Sequence, residues 1–489
     1  MPKVLIVGAG PVGLTLAAEL VRYGIDVRLI DKSPQPTQTS KALVVWARTL
    51  ELMDRMGCKQ AFLDAGLRAH GATIRSGGNV LGHARFDGIV STYNFALMIP
   101  QRDTERLLIE HLSTFGVVVE RQVELVSFTT SGDDVAATLR HADGREETVT
   151  PSWLLGCDGA HSIVRHGLDL AFEGEAQGDD WLLADIRVEG DGAPTSDEIA
   201  TYLHRDGPLV IFPIPGGRAR LIADIGKTDS ARPRPDPTLA EVQALADQRA
   251  GGGFRVLDPV WLTYFRINER KVAEYSRGRV VLAGDAAHIH SPAGGQGMNT
   301  GMQDAINLAW KLAMVERGQA APSLIDSYSP ERSAVGDMVL RNAARLTDMA
   351  TLSNPLAQGV RNLAIRFMLG FHAVQDKLAA TMSEVEIAYA DSPLSHGQDA
   401  GMRWAPEHDD GRPPGSGSVP LFVVYTDDAD QGAALAARFP TLLEPAPRRP
   451  FDRDRLILVR PDGYVGFSGT SEAWHEAEGY LSKLSADQS

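Results

Sequence analysis

The stretch Val4-Leu5-Ile6-Val7-Gly8-Ala9-Gly10-Pro11-Val12-Gly13 decides how the first part of this chain folds. Its apolar start predicts a short buried strand, and residues 14–22 have the apolar spacing of a helix. A second strand is predicted over residues 25–30 and is closed by Asp31, which lies 18 residues beyond Gly13. Strand, helix and strand together form one βαβ unit.

The glycines of this unit, Gly8, Gly10 and Gly13, have the spacing of a dinucleotide-binding loop. In such a loop the first glycine permits a tight turn, the second lets the backbone approach a pyrophosphate, and the third allows close helix–strand packing. The phosphate meets the free N–H groups and the positive dipole end of the helix. Asp31 is placed to accept hydrogen bonds from a ribose. The unit predicts a dinucleotide but does not distinguish NAD from FAD.

Length and composition indicate a globular protein of several folding units. The chain has 489 residues, 43% of them apolar and 23% charged, and a formal net charge of −15. An acidic surface without a run of Lys and Arg argues against a nucleic-acid partner. No apolar run approaches the ~18 residues of a membrane helix, and the two cysteines, Cys58 and Cys157, form no disulfide framework. We expect a cytoplasmic protein that binds neither membrane nor nucleic acid.

The predicted elements change in character along the chain. Between residues 178 and 270, strand-like segments separated by turns predict an antiparallel sheet inserted into an α/β fold. Residues 409–418 are rich in Gly, Pro and Ser, which is typical of a linker. The predicted dinucleotide-binding domain consists of residues 1–177 and 271–345, with the substrate-binding sheet inserted at residues 178–270. A helical connection at residues 346–408 and the linker at 409–418 lead to a small α/β domain at 419–489.

Two later motifs add candidate ligand contacts. The first contains Cys157-Asp158-Gly159 after a predicted strand. The second contains Gly284-Asp285, also after a strand, where a carboxylate can bind ribose or ribityl hydroxyls. It continues into residues 294–301, which hold four glycines and lead into a helix. The positive end of that helix would suit a reduced flavin anion.

With the three motifs in this order, the chain resembles the single-component FAD-dependent aromatic hydroxylases, whose fold is that of p-hydroxybenzoate hydroxylase. It is most similar to the phenol-hydroxylase-like branch, which includes enzymes that tailor aromatic polyketides. The resemblance covers the whole chain, including Glu331-Arg332 and a C-terminal region similar to thioredoxin. It implies an α/β fold with a Rossmann-like FAD-binding domain, an inserted antiparallel-sheet substrate domain and a C-terminal thioredoxin-like domain. That last domain has no cysteine, which excludes thiol–disulfide exchange.

The resemblance also implies which residues contact FAD. The backbone around Gly297 is expected at the pyrimidine edge of the flavin, and Pro292 above the ring beside the substrate. Lys41 stands where the family often has arginine, so it keeps the charge but loses the planar fork. The expected FAD-binding residues are Gly8, Gly10, Pro11, Val12, Gly13, Asp31, Lys32, Lys41, Arg48, Gln101, Asp158, Asp285, Gly295, Gly297, Met298 and Asn299.

The candidate substrate contacts are Tyr202, His204, Arg220 and Pro292. Strand alternation places Tyr202 and His204 on one face, but a solvent-facing or structural pair remains an alternative. Pro292 would act through its backbone, and no side chain is assigned as a catalytic base. His288 and His290 lack a third ligand nearby, so we predict no metal site.

The function implied by the resemblance is an FAD-dependent, NAD(P)H-consuming monooxygenase. NADPH, favoured over NADH, would reduce FAD, O₂ would be trapped as a flavin C4a-hydroperoxide, and a phenolic or polycyclic aromatic ring would attack its distal oxygen. The alternatives are Baeyer–Villiger oxygen insertion on a related aromatic ketone or quinone, and a non-catalytic flavin- or aromatic-binding protein. A flavin-dependent halogenase is disfavoured because the chain lacks a Trp-x-Trp pair. Both a monomer and a homodimer remain open.

Overall fold

The structure, a computed structural model, describes residues 3–39, 42–227, 235–352, 354–408 and 412–486. Its α-helices are Pro11–Arg22, Ala47–Met56, Lys59–Ala65, Gln101–Ser113, Ile163–Gly167, Leu239–Ala250, Gly297–Glu316, Tyr328–Ala350, Pro355–Met368, His372–Met382, Ala429–Arg438 and Trp474–Leu484. Short 3₁₀ helices lie at Gly284–Ala286, Pro322–Ser327 and Pro406–His408. In the described part of the chain, none of these helices combines the length and apolarity needed to cross a membrane.

A six-stranded sheet forms the centre of the first domain and confirms the predicted Rossmann-like unit. Its neighbouring strands are parallel except for the first pair. In order across the sheet they are Ser276–Arg277, Val280–Leu282, Trp153–Gly156, Val4–Val7, Val27–Asp31 and Glu120–Arg121. The helices Pro11–Arg22 and Gly297–Glu316 pack against each other beside it. The first helix begins at Pro11, three residues earlier than predicted. Proline is favourable as the first residue of a helix, because the N–H group that it lacks would have no partner within the helix there.

An eight-stranded sheet forms the second layer and confirms the inserted antiparallel sheet. Its strands in order are His288–Ile289, Arg255–Lys271, Glu173–Glu189, Arg218–Lys227, Leu209–Ile214, Glu198–Tyr202, Gly71–Ser76 and Asn79–Arg85. All neighbours are antiparallel except Glu198–Tyr202 and Gly71–Ser76. The last two strands come from the segment predicted to bind the dinucleotide. They join this sheet because the Glu198–Tyr202 strand offers a free backbone edge, which no local sequence pattern reveals.

Three smaller sheets complete the fold. One pairs Glu146–Val149, Asp134–His141 and Val123–Ser131, and another Val44–Val45, Ala96–Met98 and Leu67–Ala69. The C-terminal sheet has the order His396–Gly397, Val465–Thr470, Arg455–Val459 and Val423–Tyr425. Parallel bridges from Phe422 to Leu443 and from Tyr425 to Arg448 add a further short edge. This βαβ unit followed by an antiparallel hairpin and a helix is the thioredoxin-like arrangement.

A buried ionic cluster joins the C-terminal domain to the FAD-binding domain. The Glu331 carboxylate accepts hydrogen bonds from Lys311 Nζ at 2.7 Å and from both terminal nitrogens of Arg460 at 2.7 and 3.0 Å. Arg460 also pairs with Asp462 at 2.6 Å, and Trp310 Nε1 donates to Asp462 Oδ2 at 3.0 Å. The side chains of Glu331, Lys311 and Arg460 are 0% exposed. Because charges so deep are tolerated only when paired, the cluster fixes how the two domains meet.

Candidate functional site

The glycines of the loop after Val4–Val7 differ in their surroundings: two are packed against protein backbone and one faces open space. Gly8 has φ +99°, and a Cβ there would overlap the carbonyl oxygen of Cys157. A Cβ on Gly13 would overlap the carbonyl oxygen of Gly8. Gly10 differs, because its φ of −79° suits any residue and a Cβ there would meet no protein atom within 4 Å. A glycine at that position leaves open space beside the helix N-terminus, where a ligand can approach the backbone.

A cavity of about 620 Å³ opens at this loop. The N-terminus of the helix Pro11–Arg22 meets it, and Gly10, the N-cap residue, makes no side-chain cap, so the first N–H groups of the helix stay available to a phosphate. The structure brings the following predicted residues together around this cavity: Gly10, Pro11, Val12, Gln101, Arg220, Asp285, Pro292, Gly295, Gly297 and Met298.

The opposite side of the cavity is the loop that precedes the helix Gly297–Glu316. Gly294 and Gly295 have φ of +84° and +64°, which favour glycine, and no side chain caps the helix. Asn299 is 0% exposed, and its amide donates to the carbonyl oxygens of Val44 and Gly295 at 2.9 and 3.0 Å. The predicted Asn299 side chain therefore positions the loop, and the cavity receives the helix dipole from Gly297 and Met298.

Asp31 and Asp158 are not among the residues that line this cavity, and both carboxylates accept backbone N–H groups. Asp31 Oδ2 accepts the N–H of Ala9 at 2.8 Å, so the carboxylate holds the glycine loop against the end of its strand. Asp158 Oδ2 accepts the N–H groups of Ile163 and Val164 at 2.7 and 3.3 Å, and burial raises the pKa of this carboxyl. Lys32 is exposed and does not line the cavity.

Arg48, predicted as an FAD contact, does not line this cavity. Its guanidinium is 3% exposed, pairs with Glu51 at 3.0 Å and donates to the carbonyl oxygen of Asp462 at 2.7 Å. It also lies over the ring of Tyr464, 4.8 Å from the centroid. The charge serves the contact with the C-terminal domain, which only the fold brings close. Lys41 lies outside the described residues.

The eight-stranded sheet supplies an apolar and aromatic wall that sequence reasoning missed. Its side chains at the cavity are Phe212, Ile222, Trp261, Phe265 and Ile267. No individual strand is predicted over residues 255–271. The available signal was the alternation of apolar residues at every second position, as at Phe265 and Ile267, which is typical of one face of a strand. Large aromatic faces of this kind bind planar rings through offset or edge contacts.

Among the predicted substrate contacts from this sheet, Arg220 lines the cavity. It is 2% exposed, and its Nε and Nη2 pair with the two carboxylate oxygens of Asp185 at 2.7 and 2.8 Å. The predicted contacts Tyr202 and His204 do not line it. Tyr202 packs in an apolar cluster on the other face, and His204 Nδ1 accepts the N–H of Asp206 at 3.2 Å in the turn beyond the strand.

His290 and Pro292 lie where the sheet meets the glycine-rich loop. His290 Nδ1 is 2.8 Å from the carbonyl oxygen of Ser291, and burial lowers the pKa of the imidazole to about 4, so the ring is neutral at neutral pH. His288 Nε2 pairs with Asp304 at 2.7 Å. Across the described ranges, no set of three or more His, Cys, Asp or Glu side chains is arranged to hold a metal ion.

The residues around the cavity fit FAD. The backbone at Gly10 and the N-terminus of the helix Pro11–Arg22 form an open glycine cradle for a pyrophosphate, and the N-terminus of the helix Gly297–Glu316 faces the aromatic wall. The model of the "FAD binding domain" family matches residues 1–343. The chain is 37% identical over 516 aligned residues to 6-methylpretetramide 4-monooxygenase of Streptomyces rimosus, covering 96% of this chain and 91% of that protein.

Solved structures agree. The OxyS anhydrotetracycline hydroxylase from Streptomyces rimosus superposes with a TM-score of 0.81 at 29% identity, covering 99% of both chains. CabE, an aromatic hydroxylase from angucycline biosynthesis, gives 0.81 at 30% identity and 99% of both chains. Fold and site thus define a flavin-dependent α/β enzyme, as predicted. The chain belongs to the FAD-binding domain family, among the aromatic monooxygenases of the p-hydroxybenzoate hydroxylase fold.

Proposed function

We propose that this enzyme consumes NADPH and O₂ to hydroxylate a phenolic or polycyclic aromatic compound. The observation that carries the proposal is one continuous cavity that joins the glycine cradle at Gly10 to the aromatic wall of Phe212, Trp261 and Phe265. A flavin held by the cradle and the Gly297–Glu316 helix would have its substrate against that wall. The polycyclic compounds in the names of the relatives support this substrate class.

FAD, when bound, supplies hydride acceptance from a nicotinamide and activation of O₂. The chain supplies binding, orientation and electrostatics. The N–H groups after Gly10 would hold the pyrophosphate, and the N-terminus of the Gly297–Glu316 helix would stabilise negative charge on the reduced ring system. The apolar side chains of the sheet would exclude water from the reacting centre once flavin and substrate fill the cavity.

The direct test is NADPH consumption by the FAD-loaded protein with a panel of phenols, naphthoquinones and polyketide-like aromatics. We expect particular compounds to stimulate consumption and to yield a product heavier by one oxygen atom. A ring-hydroxylated product supports the proposal, whereas an ester or lactone indicates Baeyer–Villiger insertion. Tight aromatic binding without any consumption, across the panel, indicates a non-catalytic binding protein.

The wall itself is tested by Trp261→Ala. Loss of this aromatic contact is expected to weaken binding of an aromatic ligand about two- to tenfold beyond the effect of lost area, since such ring contacts are worth about 0.5–1.5 kcal/mol. Val260→Ala is the matched control, because Val260 is adjacent on the same strand but 64% exposed. Flavin absorbance changes on ligand titration give both affinities. Equal affinities in the two variants would place the substrate elsewhere.

A further inference from the structure

Glu384 is a buried acidic residue in an unusual backbone conformation. It follows the helix His372–Met382, is 1% exposed, and has φ +61°, in the left-handed region that non-glycine residues rarely adopt. Such a conformation costs on the order of 1 kcal/mol and persists only where the surroundings enforce it. The chain therefore holds this carboxyl in place at some cost to stability.

The contacts of Glu384 lead directly to the helix that faces the cavity. Thr300 Oγ1 donates to Glu384 Oε1 and Gln303 Nε2 donates to Oε2, both at 2.6 Å. Thr300 and Gln303 lie in the first two turns of the Gly297–Glu316 helix, whose first residues, Gly297 and Met298, line the cavity. The carboxyl thus lies about one helical turn behind the positive end of the helix dipole.

The charged groups around Glu384 are already paired with other carboxylates. Arg332 pairs with Asp304 through Nε and donates from Nη2 to the carbonyl oxygen of Thr300 at 3.0 Å. Asp304 also pairs with His288. On the other side, the backbone N–H of Arg48 donates to the carbonyl oxygen of Ser383, and Nε of Arg403 donates to that of Val385. The guanidinium groups of both arginines are paired with Glu51. Burial raises the pKa of Glu384 to about 7, so its charge changes near neutral pH.

Resting on FAD binding as proposed above, we propose that Glu384 is an electrostatic positioning residue for the flavin, taking up a proton when the cofactor is reduced. Two electrons and one proton reach the flavin, as a hydride from the nicotinamide, and leave the ring system with one negative charge. Glu384 then binds one further proton from solvent, so the summed charge of the flavin ring system and the Glu384 carboxyl is unchanged. Neither Thr300 nor Gln303 changes its protonation.

The experiment is the midpoint potential of the bound FAD from pH 5.5 to 8.5 in wild type, Glu384→Gln and Glu386→Gln. Gln303 Oε1 has no hydrogen-bond partner among the described residues, so its amide can turn to receive the new side chain. We expect Glu384→Gln to have the more positive potential above neutral pH, a shallower pH slope there, and the wild-type potential at acidic pH. Glu386→Gln is the control. Glu386 lies two residues after Glu384, and its partly exposed carboxylate pairs with Lys377, so the potential of this variant should follow that of wild type at every pH.

Two further readouts do not depend on how the variant behaves as an enzyme. In wild type at pH 8, infrared difference spectra on flavin reduction should show a new protonated carboxyl band.

The second readout is the pH dependence of folding stability. Because folding raises the pKa of Glu384 above that of a free carboxyl, the stability of wild type falls as pH rises through 7, so Glu384→Gln should gain stability relative to wild type between pH 5 and 8. Superimposable potentials and no carboxyl band would overturn the inference. Since neither measurement needs an aromatic substrate, that result would leave the proposed hydroxylation intact.

Discussion

Gly10→Asp is expected to weaken FAD binding strongly while the apoprotein remains as stable as wild type or slightly more stable. The position has φ −79° and no protein atom within 4 Å of a Cβ, so the fold accepts a side chain. Aspartate is also a favourable N-cap residue, worth about a few tenths of a kcal/mol over glycine. The introduced carboxylate would occupy the N–H groups that a pyrophosphate needs and repel its charge. Since like charges in contact cost several kcal/mol, affinity should fall by about a hundredfold or more.

The measurement is flavin content after purification, followed by FAD titration of the apoprotein and urea unfolding. Gly10→Ser should give a smaller loss, because it adds a side chain without charge. Gly359→Asp is the control, since a Cβ at Gly359 also meets no atom within 4 Å but the residue lies far along the sequence and outside the cavity lining. Wild-type FAD affinity in Gly10→Asp would show that the cradle does not hold the pyrophosphate.

Arg460→Ala is expected to destabilise the protein by about 3–5 kcal/mol, the range for breaking a buried ion pair. Glu331 and Asp462 would each lose their guanidinium partner in a region where neither side chain is more than 2% exposed. Glu331 would keep Lys311 as its charged partner, beside hydrogen bonds from Asn307 and Ser392, and burial already lowers the pKa of this lysine to about 8. Loss of the pair should therefore also loosen the C-terminal domain from the Gly297–Glu316 helix that carries Lys311.

Urea unfolding monitored by tryptophan fluorescence tests this prediction, because Trp310 lies within the cluster. Lys377→Ala is the control: Lys377 pairs with Glu386 at the same 2.7 Å, but its side chain is 72% exposed. Such surface pairs contribute about 0–1 kcal/mol. Equal losses in the two variants would mean that the cluster does not fix the domain contact.

Local sequence determined the elements that depend on neighbouring residues. The glycines at 8, 10 and 13, with Asp31 at the end of the next strand, specified a βαβ unit, because turn geometry and helix–strand packing act over a few residues. The glycine-rich loop before Gly297 likewise specified a helix N-terminus, since positive φ at Gly294 and Gly295 is a local requirement. These features place Gly10, Asp285, Gly297 and Met298 at one cavity.

Tertiary structure decided which distant segments meet, because pairing between strand edges and between buried charges depends on the whole chain. It added Gly71–Ser76 to the substrate sheet, turned Trp261 and Phe265 toward the cavity, and turned Tyr202 away. It also brought Arg48 to the Asp462 turn, more than 400 residues later. An arginine in a sequence motif shows only that a charge is present. Its partner is whichever group the fold buries beside it, since an unpaired charge there would cost several kcal/mol, on the order of the protein's whole stability.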